Sequence, residues 1–124
     1  MRYLGIDYGA KRIGLALSDS EGSIAFPHAT VGSVEEVVEV ISREGVERVI
    51  IGLPLTLHGK ESDESARVRQ FVSELSKRVQ LPIAFENEVF TTKLAERHTP
   101  REKADASAAA LILQSYLDRE NPKS

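Results

Sequence analysis

Asp7, Glu88 and Asp105 are acids set in apolar company. Asp7 closes the run Tyr3-Leu4-Gly5-Ile6, and Glu88 follows Pro82-Ile83-Ala84-Phe85. Asp105 stands just before Ala108-Ala109-Ala110-Leu111-Ile112-Leu113, a stretch apolar on every side of a helix and therefore predicted to be buried. An ionised carboxylate in such surroundings needs a cation or several hydrogen bonds, or it takes up a proton instead. Each of the three has an ordinary structural explanation by itself: a turn cap, a partner for a helix dipole, or a solvated loop acid. Together they would make an oxygen-rich site, which selects Mg²⁺ or Mn²⁺ over zinc. Pairs of such ions serve phosphodiester cleavage with water as the nucleophile. Cysteine is absent, which excludes thiolate zinc ligands and a thiol nucleophile, and His28, His58 and His98 form no metal-binding spacing.

The elements that must position these acids follow from periodicity. Tyr3–Asp7 and Arg12–Ser18 read as a β-hairpin turning at Gly9, the second arm half-buried, with Ile13, Leu15 and Leu17 on one face and small residues on the other. Ile24–Val31 is a third strand, placed at the sheet edge by Pro27. Ser33-Val34-Glu35-Glu36 is a capping box opening a helix that Gly45 stops. Glu47–Leu53 is apolar enough for a central parallel strand, and Pro54–Ser62 is a loop. A helix from Ser62 carries Val68, Phe71, Val72, Leu75 and Val79 on one face, and Pro82–Phe85 is a fifth strand. Thr91 or Thr92 caps a short helix reaching Arg97, and Thr99-Pro100-Arg101-Glu102 opens the last helix, through Leu117. Right-handed crossovers lay the fourth strand beside the first and the fifth beyond it. The expectation is an α/β protein with a five-stranded mixed sheet, three antiparallel strands then two parallel, and helices on both faces. That element order is the ribonuclease H-like order, and it carries Asp7 and Glu88 to one sheet edge where the last helix can bring Asp105.

The chain has 124 residues, 16 basic against 19 acidic, at 41% hydrophobic and 28% charged. That suits one domain with a core of its own, expected over residues 1–119 with a flexible tail at 120–124. No segment reads as a secretory signal or membrane span, so a cytoplasmic protein without membrane contact is expected. Net acidity argues against nucleic-acid binding through bulk positive charge. Without Asp7, Glu88 and Asp105, however, acids and bases are equal at 16 each, so the excess acidity is the size of the proposed site. Lys11 and Arg12 beside Asp7 are the expected phosphate contacts. Gly52 and the loop Pro54–Glu61 border the cleft, as ligands of open α/β sheets bind beyond the carboxyl ends of the strands. Arg67 and Arg69 would extend a phosphate track along their helix.

Gly5-Ile6-Asp7-Tyr8-Gly9-Ala10-Lys11-Arg12-Ile13-Gly14-Leu15-Ala16 resembles the opening of the YqgF family, bacterial RuvC-like nucleases with a ribonuclease H-like fold. So do Ile51-Gly52-Leu53-Pro54-Leu55 with Gly59 and Ser62, the segment Glu88…Thr91-Thr92…Ala95-Glu96, and Asp105…Ala108-Ala109…Ile112-Leu113-Gln114-Ser115-Tyr116-Leu117. The resemblance covers nearly the whole chain. It implies processing of the 5′ end of precursor 16S ribosomal RNA in the cytoplasm, or resolution of Holliday junctions. It further implies metal-binding catalytic roles for Asp7, Glu88 and Asp105 with two Mg²⁺ or Mn²⁺ ions. Thr91 and Thr92 join Lys11, Arg12 and Gly52 as substrate contacts. RNA or branched DNA is the implied partner, with ribosomal components beside it, and the chain is expected as a monomer or weak homodimer. Two departures stand out. Val89 replaces the family's arginine after the glutamate, and Ala108 occupies the position of a fourth carboxylate one turn after Asp105.

Two other functions compete. Asp-x-Gly leading into a second strand also opens the phosphate-binding domains of sugar kinases and actin-like ATPases, which close two such domains around ATP. A nucleic-acid-binding module with little catalysis is the other, favoured by the missing arginine and fourth acid.

Overall fold

A computed structural model describes residues 1–88 and 101–120. The elements in chain order are β1 (Tyr3–Tyr8), β2 (Ile13–Ser18), β3 (Ala25–Val31), α1 (Val34–Glu44), β4 (Arg48–Pro54), α2 (Asp63–Ser76), β5 (Ile83–Glu88) and α3 (Arg101–Glu120). One five-stranded sheet runs β3-β2-β1-β4-β5. β1 pairs antiparallel with β2 and β2 with β3, while β4 lies parallel to both β1 and β5. This is the expected topology, with β3 and its Pro27 on an edge. The register there shifts between Leu15, opposite Ala29, and Ala16, opposite Pro27, so that His28 is a bulge residue.

Strand alternation divides the core into two layers. Leu4, Ile6, Leu15, Val49 and Ile51 face one side and form the larger cluster with Val37 and Ile41 of α1 and Val68, Phe71 and Leu75 of α2. Ala16 and Ile50 face the other side, against Ala109, Ile112, Leu113 and Leu117 of α3. α1 forms as its capping signals require. The Glu36 amide donates to the Ser33 hydroxyl, and Gly45 ends the helix at φ 67°, a left-handed conformation that glycine adopts without a Cβ penalty.

Four expectations need correction. β2 is buried along its whole length and not half-buried, because its small-residue face is covered by α3. That closeness has a cost in side chains. A Cβ on Gly14 would lie 2.0 Å from the Asp105 carbonyl oxygen, and one on Gly5 would lie 2.7 Å from Leu113 Cβ. The run 108–113 is not buried on every side, since Leu111 is 45% exposed on the outer face of α3. β5 extends past Phe85 through Glu86, Asn87 and Glu88, because pairing with Gly52, Leu53 and Pro54 of β4 satisfies their backbone despite their polar side chains. Arg12 belongs to the β1–β2 turn, which is closed by the Gly9 amide donating to the Arg12 carbonyl at 2.9 Å. Among the described residues no helix is long and apolar enough to cross a membrane. The short helix expected from Thr91 or Thr92 and the cap at Thr99 lie outside the described residues.

Candidate active site

The register places the candidate residues level with one another at the carboxyl ends of β1, β4 and β5. Ile6 pairs with Ile51, so Asp7 comes level with Gly52, and Gly52 is opposite Glu86. Asp7 shares strand parity with Gly5, the glycine against α3, and therefore lies on the α3 side of the sheet. Directly across the hairpin from Asp7 is Gly14, the residue on which the Asp105 backbone rests. Asp7 and Asp105 are thus brought together by a missing side chain: with any residue larger than glycine at position 14, the start of α3 would stand off from β1. Glu88 ends β5 opposite Pro54, two residues beyond this level. Its side chain, like Thr91 and Thr92, lies outside the described residues.

Asp105 is half-buried and paired. Arg12 Nε donates to Asp105 Oδ2 at 2.6 Å, with side-chain exposures of 34% and 15%. A planar guanidinium bonded through Nε is fixed in direction, and its Nη atoms have no acceptor among the described residues. Among the described residues Asp105 Oδ1 has no hydrogen-bond partner, which leaves it for a second one. Lys11 is exposed beside it, and Gly52 is buried. Pro54 hands the chain to the loop that leads to α2, and its carbonyl accepts from the buried Ser65 hydroxyl at 2.5 Å, which fixes where β4 leaves the sheet. Arg67 borders a groove on the opposite, α1/α2 side with Tyr8 and Gly9. Arg69 is committed elsewhere: it pairs with Glu61 through two contacts and lies over the Phe85 ring at 5.0 Å. That pairing holds the Glu61 carboxyl below its ordinary pKa. A continuous phosphate track through both arginines is not what the structure forms.

Sequence reading missed Glu86. It is 5% exposed, level with Asp7, and held by Ser115, whose hydroxyl donates to Oε2 at 2.9 Å. Arg119 Nη1 is 2.6 Å from Oε1, a contact carried by charge more than by N–H alignment. The neighbouring carboxylate raises the Arg119 pKa further. This clamp ties the later turns of α3 to β5. The signal for it was the parity of Ala84 and Glu86, hidden once the strand was ended at Phe85.

As a donor set, Asp7 and Asp105 are hard oxygen ligands and suit Mg²⁺ or Mn²⁺. Among the described residues no group of three metal-ligating side chains is assembled, so a third ligand would come from Glu88.

A family model described as RuvX: Holliday junction resolvase matches residues 1–119. A candidate pre-16S rRNA nuclease of Anaplasma marginale is 41% identical, over 94% of this chain and 84% of the relative. Relatives of the same designation in Chloroflexus aggregans and a Sulfurihydrogenibium species are 35% and 38% identical over at least 95% of this chain and 90% of theirs. Among solved structures, Thermus thermophilus RuvC in complex with Holliday junction substrate matches with TM-score 0.64 at 19% identity, covering 97% and 96% of the two chains. A Fowlpox virus resolvase solved with Holliday junction DNA matches with TM-score 0.58 at 15% identity, covering 97% and 99%. Both likenesses bear out the ribonuclease H-like fold.

Proposed function

This chain belongs to the RuvX family of Holliday junction resolvases, the YqgF family that its motifs resemble, and from that membership we infer a nuclease that trims precursor 16S ribosomal RNA. It is a hydrolase of phosphodiester bonds acting on nucleic acid. The assignment of Asp7 and Asp105 to its chemistry is carried by one observation: Gly14 lets the α3 backbone rest directly across the hairpin from Asp7. Glu88, at the end of β5, completes the proposed acidic set, which would hold one or two Mg²⁺ or Mn²⁺ ions. When bound, such ions supply water activation and neutralise charge on the leaving oxygen.

The protein's own part is positioning. Asp105 keeps Arg12 pointed by its Nε, which leaves the Nη fork for a non-bridging phosphate oxygen. Lys11 adds a mobile point charge beside it. Gly52, level with Asp7 near the end of β4, is the proposed backbone contact of the sugar-phosphate chain, and Thr91 and Thr92 are the proposed hydroxyl contacts of the same strand. Compartment and partners follow from the substrate: cytoplasm, beside assembling ribosomal subunits, as a monomer or weak homodimer.

The test is cleavage of a precursor 16S leader RNA and a matched four-way DNA junction, each with Mn²⁺. Wild type should cut the RNA, Asp7→Asn should not, and both should melt alike in chelator. Mn²⁺ at about 100 times its Kd should stabilise the wild type by ~2.7 kcal/mol. Faster cutting of the junction would make the protein a resolvase instead, and RNA binding without cleavage by wild type would make it a binding module.

A further inference from the structure

A cavity of about 660 Å³ opens on the β3 side of the carboxylate site, between β3, the β1–β2 turn and the early part of α3. We propose that it is a subsite for a single nucleotide of the substrate strand, seated next to the phosphate that is cut. The position relative to the cut rests on the nuclease reading above; the nucleotide-binding chemistry does not.

Two cationic side chains offer an anion its contacts. Lys11 and Arg12 line the cavity, and Glu36 is the one acid among the described lining residues. Glu36 keeps its charge but is tied to the start of α1, since its Oε1 accepts from the Gly32 amide at 2.8 Å and the Ser33 hydroxyl at 3.2 Å. Arg12 is held through Nε by Asp105 at 2.6 Å, which restrains the guanidinium and leaves its two Nη atoms uncommitted among the described residues. A preorganised fork loses little entropy when it takes a phosphate.

The remaining wall offers more than a phosphate needs. His28 is the bulge residue of β3, and bulges re-aim a side chain that regular pleating would turn elsewhere. Its imidazole is exposed beside the cavity and presents a flat face on which a base stacks. Ser107 on α3 also lines the cavity, and a hydroxyl there can donate to or accept from a ribose or a base edge. The volume falls within the roughly 300–1,000 Å³ of small-ligand sites. Cationic fork, aromatic face, hydroxyl and size together match a nucleotide better than an inorganic anion. Asp105 joins the two sites physically: its side chain holds Arg12, which lines the cavity, and its backbone rests on Gly14 opposite Asp7.

The probe is adenosine 5′-monophosphate, titrated into isotope-labelled wild-type protein in chelator and followed by amide chemical shifts. Saturable shifts should centre on Ala29, Thr30, Gly32 and Ser107. Ser107→Leu fills the cavity from a helix position where leucine is a good residue, and should weaken binding at least about tenfold. His28→Ala, on an exposed edge, should weaken it at least about fivefold without affecting the fold, which guards against a misfolded Ser107→Leu. Inorganic phosphate should bind more weakly than the nucleotide. Absent or scattered shifts, or binding indifferent to both variants, would overturn the subsite even if the wild type cuts RNA. Nucleotide binding here by a protein that cuts neither RNA nor junction would retain the subsite and remove the nuclease reading.

Discussion

Replacing Gly14 with alanine asks whether the contact that brings Asp105 to Asp7 is as tight as the geometry says. The added Cβ would lie 2.0 Å from the Asp105 carbonyl oxygen, 2.3 Å from its carbonyl carbon and 3.0 Å from the Ala106 nitrogen. Carbon and oxygen sit roughly 3.3 Å apart at their closest comfortable approach. The backbone of α3 must therefore retreat by more than about 1 Å, and no flexible side chain is available to yield in its place. Overpacking of this kind costs about 1–3 kcal/mol, and contact with backbone puts Gly14→Ala at the upper end. With unfolding entropy near ~2.1 cal/mol/K per residue over 124 residues, ~3 kcal/mol lowers Tm by about 11 °C. A shift of ~1 Å in a catalytic group costs about a hundredfold in rate. Circular dichroism melting and cleavage of the leader RNA at saturating Mn²⁺ read the two effects separately. Gly32→Ala is the matched control for stability, because its Cβ would meet nothing nearer than Glu36 Oε1 at 3.6 Å, and it should leave Tm unchanged. If Gly14→Ala melts within roughly 2 °C of wild type and cuts at the wild-type rate, the close approach is not what assembles the site.

The Arg12–Asp105 pair should show a coupling energy of about 1 kcal/mol in a double-mutant cycle of Arg12→Gln and Asp105→Asn melted in chelator, since both groups are partly exposed; additive effects would mean the pair directs nothing. Acid dependence should report on Asp19, whose carboxylate accepts from the Ser23 amide and hydroxyl and the Ile24 amide and has its pKa lowered from 3.8, chiefly by those backbone donors. A depressed folded pKa gives stability that is present above the unfolded value and lost as pH falls through the folded one. The Tm gap between wild type and Asp19→Asn should therefore be constant above pH 5 and close on acidification below 3.8, and a gap that widens there would reverse the sign.

The sheet and its order were legible because the signals that define them are local: alternation in β2, the capping residues of α1, Pro27 on an edge and the unbroken apolar run in β4. Legibility ended where tertiary contact overrides local chemistry. Ending β5 at Phe85 was reasonable from polarity, yet pairing with β4 and the clamp from Ser115 and Arg119 draw Glu86 into the interior. Lys11 and Arg12 were singled out for charge beside Asp7. Spacing along the chain held no hint that Arg12 would pair with Asp105, because 93 residues separate them and only the docking of α3 joins them. Gly14 looked like one small residue in an alternating strand, and its purpose is visible only from the helix that rests on it.

The bare helix-facing side of β1 and β2 has a consequence for the timing of activity. Gly5, Gly14 and Ala16 give that face little side-chain substance of its own, so α3 supplies most of the apolar layer there and carries Asp105 with it. A molecule in which α1, α2 and the sheet have formed but α3 has not docked lacks both the layer and the carboxylate. Docking of α3 therefore completes the fold and, with Asp105 in its proposed role, the acidic site in one step, so a partly folded copy would not cut its substrate.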